Sequence, residues 1–159
     1  MNKGFGLLEI VIASTILSTG IFGIFSVAVL SNRLNSQSLE KMRANFLAEE
    51  GLEVTRFLRD ESWLDNLSNL IHGNTYYISF NEAGSLWTIG SEIVSNIDSL
   101  FERKIFVEKV YRDSNDNIVL SGGAEDLNSR KIIIEISWQE NNATTTLQLS
   151  EYLSNIFNN

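Results

Sequence analysis

Few residues in this chain have the types and spacing that chemistry needs. His72 is the single histidine and cysteine is absent. Histidine or thiolate metal clusters and a cysteine nucleophile are therefore excluded, and a Ser/His/Asp triad would hang on His72 alone. That residue stands beside Gly73 in a polar stretch and reads as an ordinary surface histidine. Asp113, Asn115 and Asn117 place oxygen ligands at alternate positions, like the opening of a calcium loop. Ile118 stands where such a loop requires glycine and Ala124 where it requires a bidentate glutamate. A hairpin turn is the preferred reading, with calcium, helped by Glu125 and Asp126, as the weaker alternative. Glu49, Glu50 and Glu53 read as a solvated helix face with Arg56 as a local partner. Arg103, Lys104, Lys109 and Arg112 are the densest basic group, but strand alternation divides them between two faces, so no stripe for nucleic acid forms. No catalytic constellation emerges: the expectation is a protein that is not an enzyme and has no cofactor.

The residue whose position is unusual is Glu9. It stands just ahead of Ile10 to Leu30, twenty-one residues without a charge, which as a helix would cover roughly 30 Å of hydrocarbon. A carboxylate costs about 3 kcal/mol at mid-membrane and less toward the interface. It needs a partner or a shallow position, and a helix N-terminus would favour its charge. Lys3 precedes the segment while Arg33, Lys41 and Arg43 follow it, so basic residues alone do not fix its orientation. No small-residue cleavage site follows the apolar run, so its removal as a secretory signal is not expected.

These residues must be positioned by few elements. The length of 159 residues suits one domain once the apolar segment is set aside. Twenty acidic against 12 basic residues give a net charge of −8, which the phosphate backbone of a nucleic acid repels. Proline is absent, so no obligatory break interrupts a helix from about Phe5 to about Arg59. Its second half carries Leu39, Met42, Phe46, Leu47, Val54, Phe57 and Leu58 at three- and four-residue intervals, read as one stripe lying under a domain. Gly51 reads as a close-packing position against a strand. Gly20 and Gly23 leave two readings open, close helix packing or local loosening.

A short helix is expected around Trp63 to Ile71, then a hairpin from Tyr76 to Phe80 and Leu86 to Ile89. Ile93 to Leu100 stays ambiguous. Arg103 to Tyr111 puts Ile105, Val107 and Tyr111 on one parity. Lys131 to Gln139 puts Ile132, Ile134, Ile136 and Trp138 on one, and turns through Asn141-Asn142 into Thr144 to Ser150 with Leu147 and Leu149. The expected class is α+β: a long N-terminal helical spine, its first half transmembrane, with an antiparallel sheet packed on its second half.

Lys3-Gly4-Phe5-Gly6-Leu7-Leu8-Glu9, adjoining the apolar run, resembles the class III signal of type IV prepilins and pseudopilins. The segments Ile16 to Gly23 and Leu47 to Glu53 are similar to V-type minor pilins (PilV-like proteins), and the likeness covers about the first sixty residues. It implies a leader over residues 1–4, a transmembrane and fibre-core helix over 5–31 and an extracytoplasmic domain over 32–159. It implies cleavage between Gly4 and Phe5, N-methylation of Phe5, and a role for Glu9 in assembly, its carboxylate neutralised by the terminal amine of a neighbouring subunit.

The partners implied are other pilin subunits, a prepilin peptidase that also methylates, and the inner-membrane assembly platform. The implied location is the inner membrane, N-terminus in the cytoplasm, then an extracellular pilus or periplasmic pseudopilus. The expected function is a structural minor-pilin-like subunit of a type IV pilus. A type II secretion pseudopilin shares every N-terminal feature. An alternative of another class is a single-pass membrane protein with a ligand-binding outer domain.

Overall fold

The structure, a computed structural model, describes residues 6–81, 84–94 and 97–158. The elements are α1 (Leu7–Glu61), α2 (Trp63–Asn66), β1 (Thr75–Asn81), β2 (Leu86–Gly90), β3 (Glu102–Arg112), β4 (Ile118–Val119), β5 (Ala124–Glu140) and β6 (Ala143–Ser154). The class is α+β, a long N-terminal helix with an antiparallel sheet of six strands packed against it. The chain divides into two compact units, the first ending at Glu40 and the second beginning at Lys41, and α1 contributes to both.

In the first unit every described residue from Gly6 to Ser36 is exposed. The segment is long and apolar enough to cross a membrane. The helix is unbroken through Gly20 and Gly23, and nothing lies within 4 Å of where a Cβ would stand on either.

In the second unit the sheet order is β2-β1-β3-β5-β6, with β4 paired to β3. Ile132, Ile134 and Ile136 of β5 are 0% exposed, and Trp138 continues their row. The β5–β6 hairpin closes through Asn141 and Asn142, both at positive φ, as a two-residue turn matched to the strand twist requires. β5 also runs seven residues further toward the N-terminus than alternation indicated, Ala124 to Asp126 pairing with Arg112 to Val110. Gly123 immediately precedes this extension, at a place where a Cβ would fall 2.5 Å from the Arg112 carbonyl oxygen.

Three expectations need correction. The face of α1 against the sheet is only in part the large-residue stripe: Val54 and Leu58 are buried and Leu47 packs against the core, but the rest of the buried face is built from small side chains. Ala44, Ala48, Gly51, Thr55 and Leu58, spaced by four and three residues, are buried with Leu52 and Val54, while Leu39, Met42, Phe46 and Phe57 are exposed. Small side chains win this face because they let the helix backbone approach the isoleucine row of β5, which then supplies the bulk. A Cβ on Gly51 would sit 3.0 Å from Ile134 Cγ2 and 3.3 Å from Arg103 Cδ. Tyr111 does not continue the inward parity of Ile105 and Val107. The register of β3 shifts between Lys109 and Val110, and the irregularity turns Val110 into the interior instead.

The short helix after α1 is also curtailed, covering only Trp63–Asn66 before turns take over. Ser62 caps it, and the Asn66 side chain folds back to the Leu58 carbonyl at 2.9 Å. The segment Ile93 to Leu100 contributes a single bridge, Ile97 to Phe101, among its described residues.

Replacing Gly51 by Leu should overpack this seam and lower stability by about 1–3 kcal/mol, whereas Phe46→Ser should change it by less than about 0.5 kcal/mol. Urea unfolding of the full chain in detergent measures both; equal losses would mean the buried face is assigned wrongly.

Candidate functional site

Gly4 and Phe5, where the sequence resemblance places cleavage and methylation, lie outside the described residues. Glu9 lies inside them, in the first turn of α1. The Gly6 backbone N–H donates to Glu9 Oε2 at 3.0 Å. Glutamate at this offset satisfies one of the donors that a helix start leaves open, and its charge faces the positive end of the helix dipole. The Gly6 carbonyl in turn accepts from the N–H groups of Glu9 (3.0 Å) and Ile10 (3.3 Å). A glutamate three residues after a helix start is the sequence signal for this bond, and it becomes legible once the helix begins at Leu7 and not at about Phe5.

Five hydroxyls punctuate the apolar run, and each donates to a carbonyl of the preceding turn. Ser14 and Thr15 bond to the Val11 carbonyl (2.9 and 2.8 Å), Ser18 to Ser14 (2.7 Å), Thr19 to Ile16 (2.9 Å) and Ser26 to Phe22 (2.9 Å). A hydroxyl satisfied this way needs neither water nor a partner chain, which is the condition for entering hydrocarbon. Glu9 is thus the one charged group from Leu7 to Asn32. The Gly6 N–H is neutral, and no cation among the described residues pairs with that carboxylate.

The other candidates resolve into structure. Asp113 opens the β3–β4 loop and its carboxylate is already engaged: Oδ1 accepts from the backbone N–H groups of Asn115 (2.8 Å) and Asn117 (2.9 Å), and Oδ2 accepts from Asn117 Nδ2 at 3.2 Å. The Asp113 N–H donates to the Asn117 carbonyl at 2.9 Å. Asn115 and Asn117 therefore act here as donors to Asp113, and the hairpin turn is what the structure contains. Among the described residues no group of three or more His, Asp or Glu could hold a metal ion.

His72 is exposed, its Nδ1 3.2 Å from the Val107 carbonyl. It borders an open hollow of about 220 Å³ with Glu108, Lys131 and Tyr152.

The charged groups separate into pairs. Lys104 bonds Glu102 (2.9 Å), Lys109 bonds Glu125 (2.8 Å) and Arg112 bonds Asp126 (2.7 Å). Arg103 is buried under α1, its guanidinium donating to the Leu47 carbonyl (3.1 Å) and to Glu50 Oε2 (3.2 Å). Arg56 bonds Glu53 as its spacing suggested, at 2.6 Å, and also holds Glu151 of β6 through Nε at 3.0 Å to each carboxylate oxygen. Two members of the helix charge group thus bind the sheet, a role that local spacing does not reveal.

Comparison with protein-family models, with curated proteins and with solved structures gives no match.

The hydrogen bonds from Asn117 and Asn115 hold the Asp113 carboxyl below its ordinary range. A lowered folded value means that the turn is stabilised above the unfolded carboxyl pKa of about 3.9. That contribution is lost as pH falls through the folded value. Asp113→Ala should therefore lower the melting temperature at pH 7, and the gap from the parent should close on acidification below about pH 4; circular dichroism melts at the two pH values check it.

Proposed function

We propose that this chain is a pilin-like structural subunit, matured by removal of residues 1–4 and assembled through its apolar N-terminal helix. The observation that carries the reading is the basic leader ending in Gly4, with Phe5 next and Glu9 as the single charge between Leu7 and Asn32, in a stretch whose hydroxyls from Ser14 to Ser26 are internally satisfied.

The physical logic starts from Glu9. An isolated carboxylate among apolar side chains is costly, and a peptide N–H softens the cost without cancelling the charge. Cleavage after Gly4 creates a new α-amino group on Phe5. In a bundle of such helices, the amine of one subunit meets the Glu9 of its neighbour, and a charge-assisted hydrogen bond replaces the lone ion. Uncleaved chains present no amine at that depth, so assembly waits for processing. The pairing also sets the stagger between neighbouring helices.

The same reading orients the chain with its N-terminus in the cytoplasm and the domain beginning near Asn32 outside. The work of the domain is then packing and display, as a minor subunit of a type IV pilus.

Mass spectrometry of chains recovered from a host with a prepilin peptidase should find a mature N-terminus at N-methylated Phe5. Intact Met1 on membrane or fibre material overturns the proposal. Glu9→Ala should leave this processing largely intact and sharply reduce incorporation into fibres, measured as the ratio of fibre-bound to membrane-bound chain; unchanged incorporation removes the assembly role of Glu9.

A further inference from the structure

β6 is the edge of the sheet beyond β5, and few of the usual edge protections are built into it. It runs twelve residues, pairs with β5 from Ala143 to Ser154 without a register shift, and contains no lysine, arginine or proline. Short length, bulges, proline, lysines and inward-pointing charges are the usual means of blunting an edge; of these β6 has only Glu151 on its helix side, and that carboxylate is taken up by Arg56. The opposite edge, β2, has only five residues. The outward N–H and C=O groups of β6 therefore form a long template for another strand.

The sequence of β6 says which strand fits. Its side chains alternate: Thr145, Leu147, Leu149, Glu151 and Leu153 lie on the helix side, opposite Trp138, Ile136, Ile134, Ile132 and Arg130. Thr144, Thr146, Gln148, Ser150 and Tyr152 lie on the other side. An added strand that continues the sheet must keep this parity. An antiparallel second copy does so when the twofold axis passes through Gln148 normal to the sheet.

Leu147 then faces Leu149 of the partner on both sides of the axis, Thr145 faces Glu151, Thr146 faces Ser150 and Thr144 faces Tyr152. Leu147 and Leu149 are only partly buried in the single chain and gain cover from each other. Glu151, the sole charge of the strand, meets a threonine. The two copies of Glu151 stand about 20 Å apart along the strands, well beyond a Debye length at physiological salt, and each is held by its own Arg56.

We propose that β6 is a self-association edge, joining two copies of this chain into one continuous antiparallel sheet. A twofold axis normal to the sheet reverses the Lys41–Glu61 part of α1 between the copies. On the pilin reading, which this consequence rests on, the contact joins subunits of different fibres or membranes and not neighbours inserted side by side in one membrane.

The chain has no cysteine, so single cysteines report the contact cleanly. Full-length Gln148→Cys in detergent, mildly oxidised, should give a disulfide-linked dimer on a non-reducing gel, because cross-strand partners bring Cβ atoms within about 5 Å. Thr146→Cys alone should stay monomeric and become linked only when mixed with Ser150→Cys. A monomeric Gln148→Cys, or a Thr146→Cys that links to itself as fast, overturns the proposal. A correctly folded Gln148→Lys, which sets two like charges face to face, should be monomeric by light scattering in the soluble range where the parent dimerises; persistence of the dimer also overturns it. Cysteine linkage is read at single positions of β6, so neither the state of the Gly4–Phe5 bond nor association through the apolar helix can imitate it.

Discussion

The second unit depends on one close approach, that of the α1 backbone to β5 at Gly51. There the helix comes near enough that a single methyl group would press on Ile134. The contact works because Ala44, Ala48 and Thr55 continue the same narrow face while Ile132, Ile134 and Ile136 rise from the strand to fill it. Burying each isoleucine is worth about 1.5–3 kcal/mol, and large side chains on both surfaces would hold the layers apart and forfeit contacts along the row.

Charged groups then fix where the helix lies across the sheet. On the β3 side Arg103 passes beneath α1 to the Leu47 carbonyl and Glu50; on the β6 side Arg56 reaches Glu151. A buried guanidinium is costly unless its donors are met, so Arg103 contributes specificity of position more than net stability. The outer face of the sheet carries the complementary pattern, with Lys131 on Glu108 and Gln148 on Glu135 across neighbouring strands. Alternation thus leaves one face apolar under the helix and the other wetted by paired charges.

The first unit obeys a different rule. Its hydroxyls from Ser14 to Ser26 turn back on their own helix, Gly20 and Gly23 sit in open space, and its described large apolar side chains are exposed. Such a surface is stable only where water is absent or where similar surfaces cover it. Glu9 is the exception within the stretch from Leu7 to Asn32, and the proposed role of the segment follows from that one charge, which no cation among the described residues meets.

Sequence alone determined the elements with strong periods: the uncharged run after Glu9, the helix through to about Arg59 without a proline, the alternating row from Ile132 to Trp138, the turn at Asn141-Asn142 and the packing role of Gly51. These depend on local spacing, which one chain displays completely. Only the tertiary structure decided which helix face is buried, because packing rewards close approach by Ala44, Ala48 and Thr55 over the apolar bulk of Phe46 and Phe57. It also decided the irregularity at Val110, the strand extension at Gly123, the order of the strands and the long reach of Arg56 to Glu151. Each of those is settled by a partner distant in sequence, and side-chain type at one position carries no record of which partner that is.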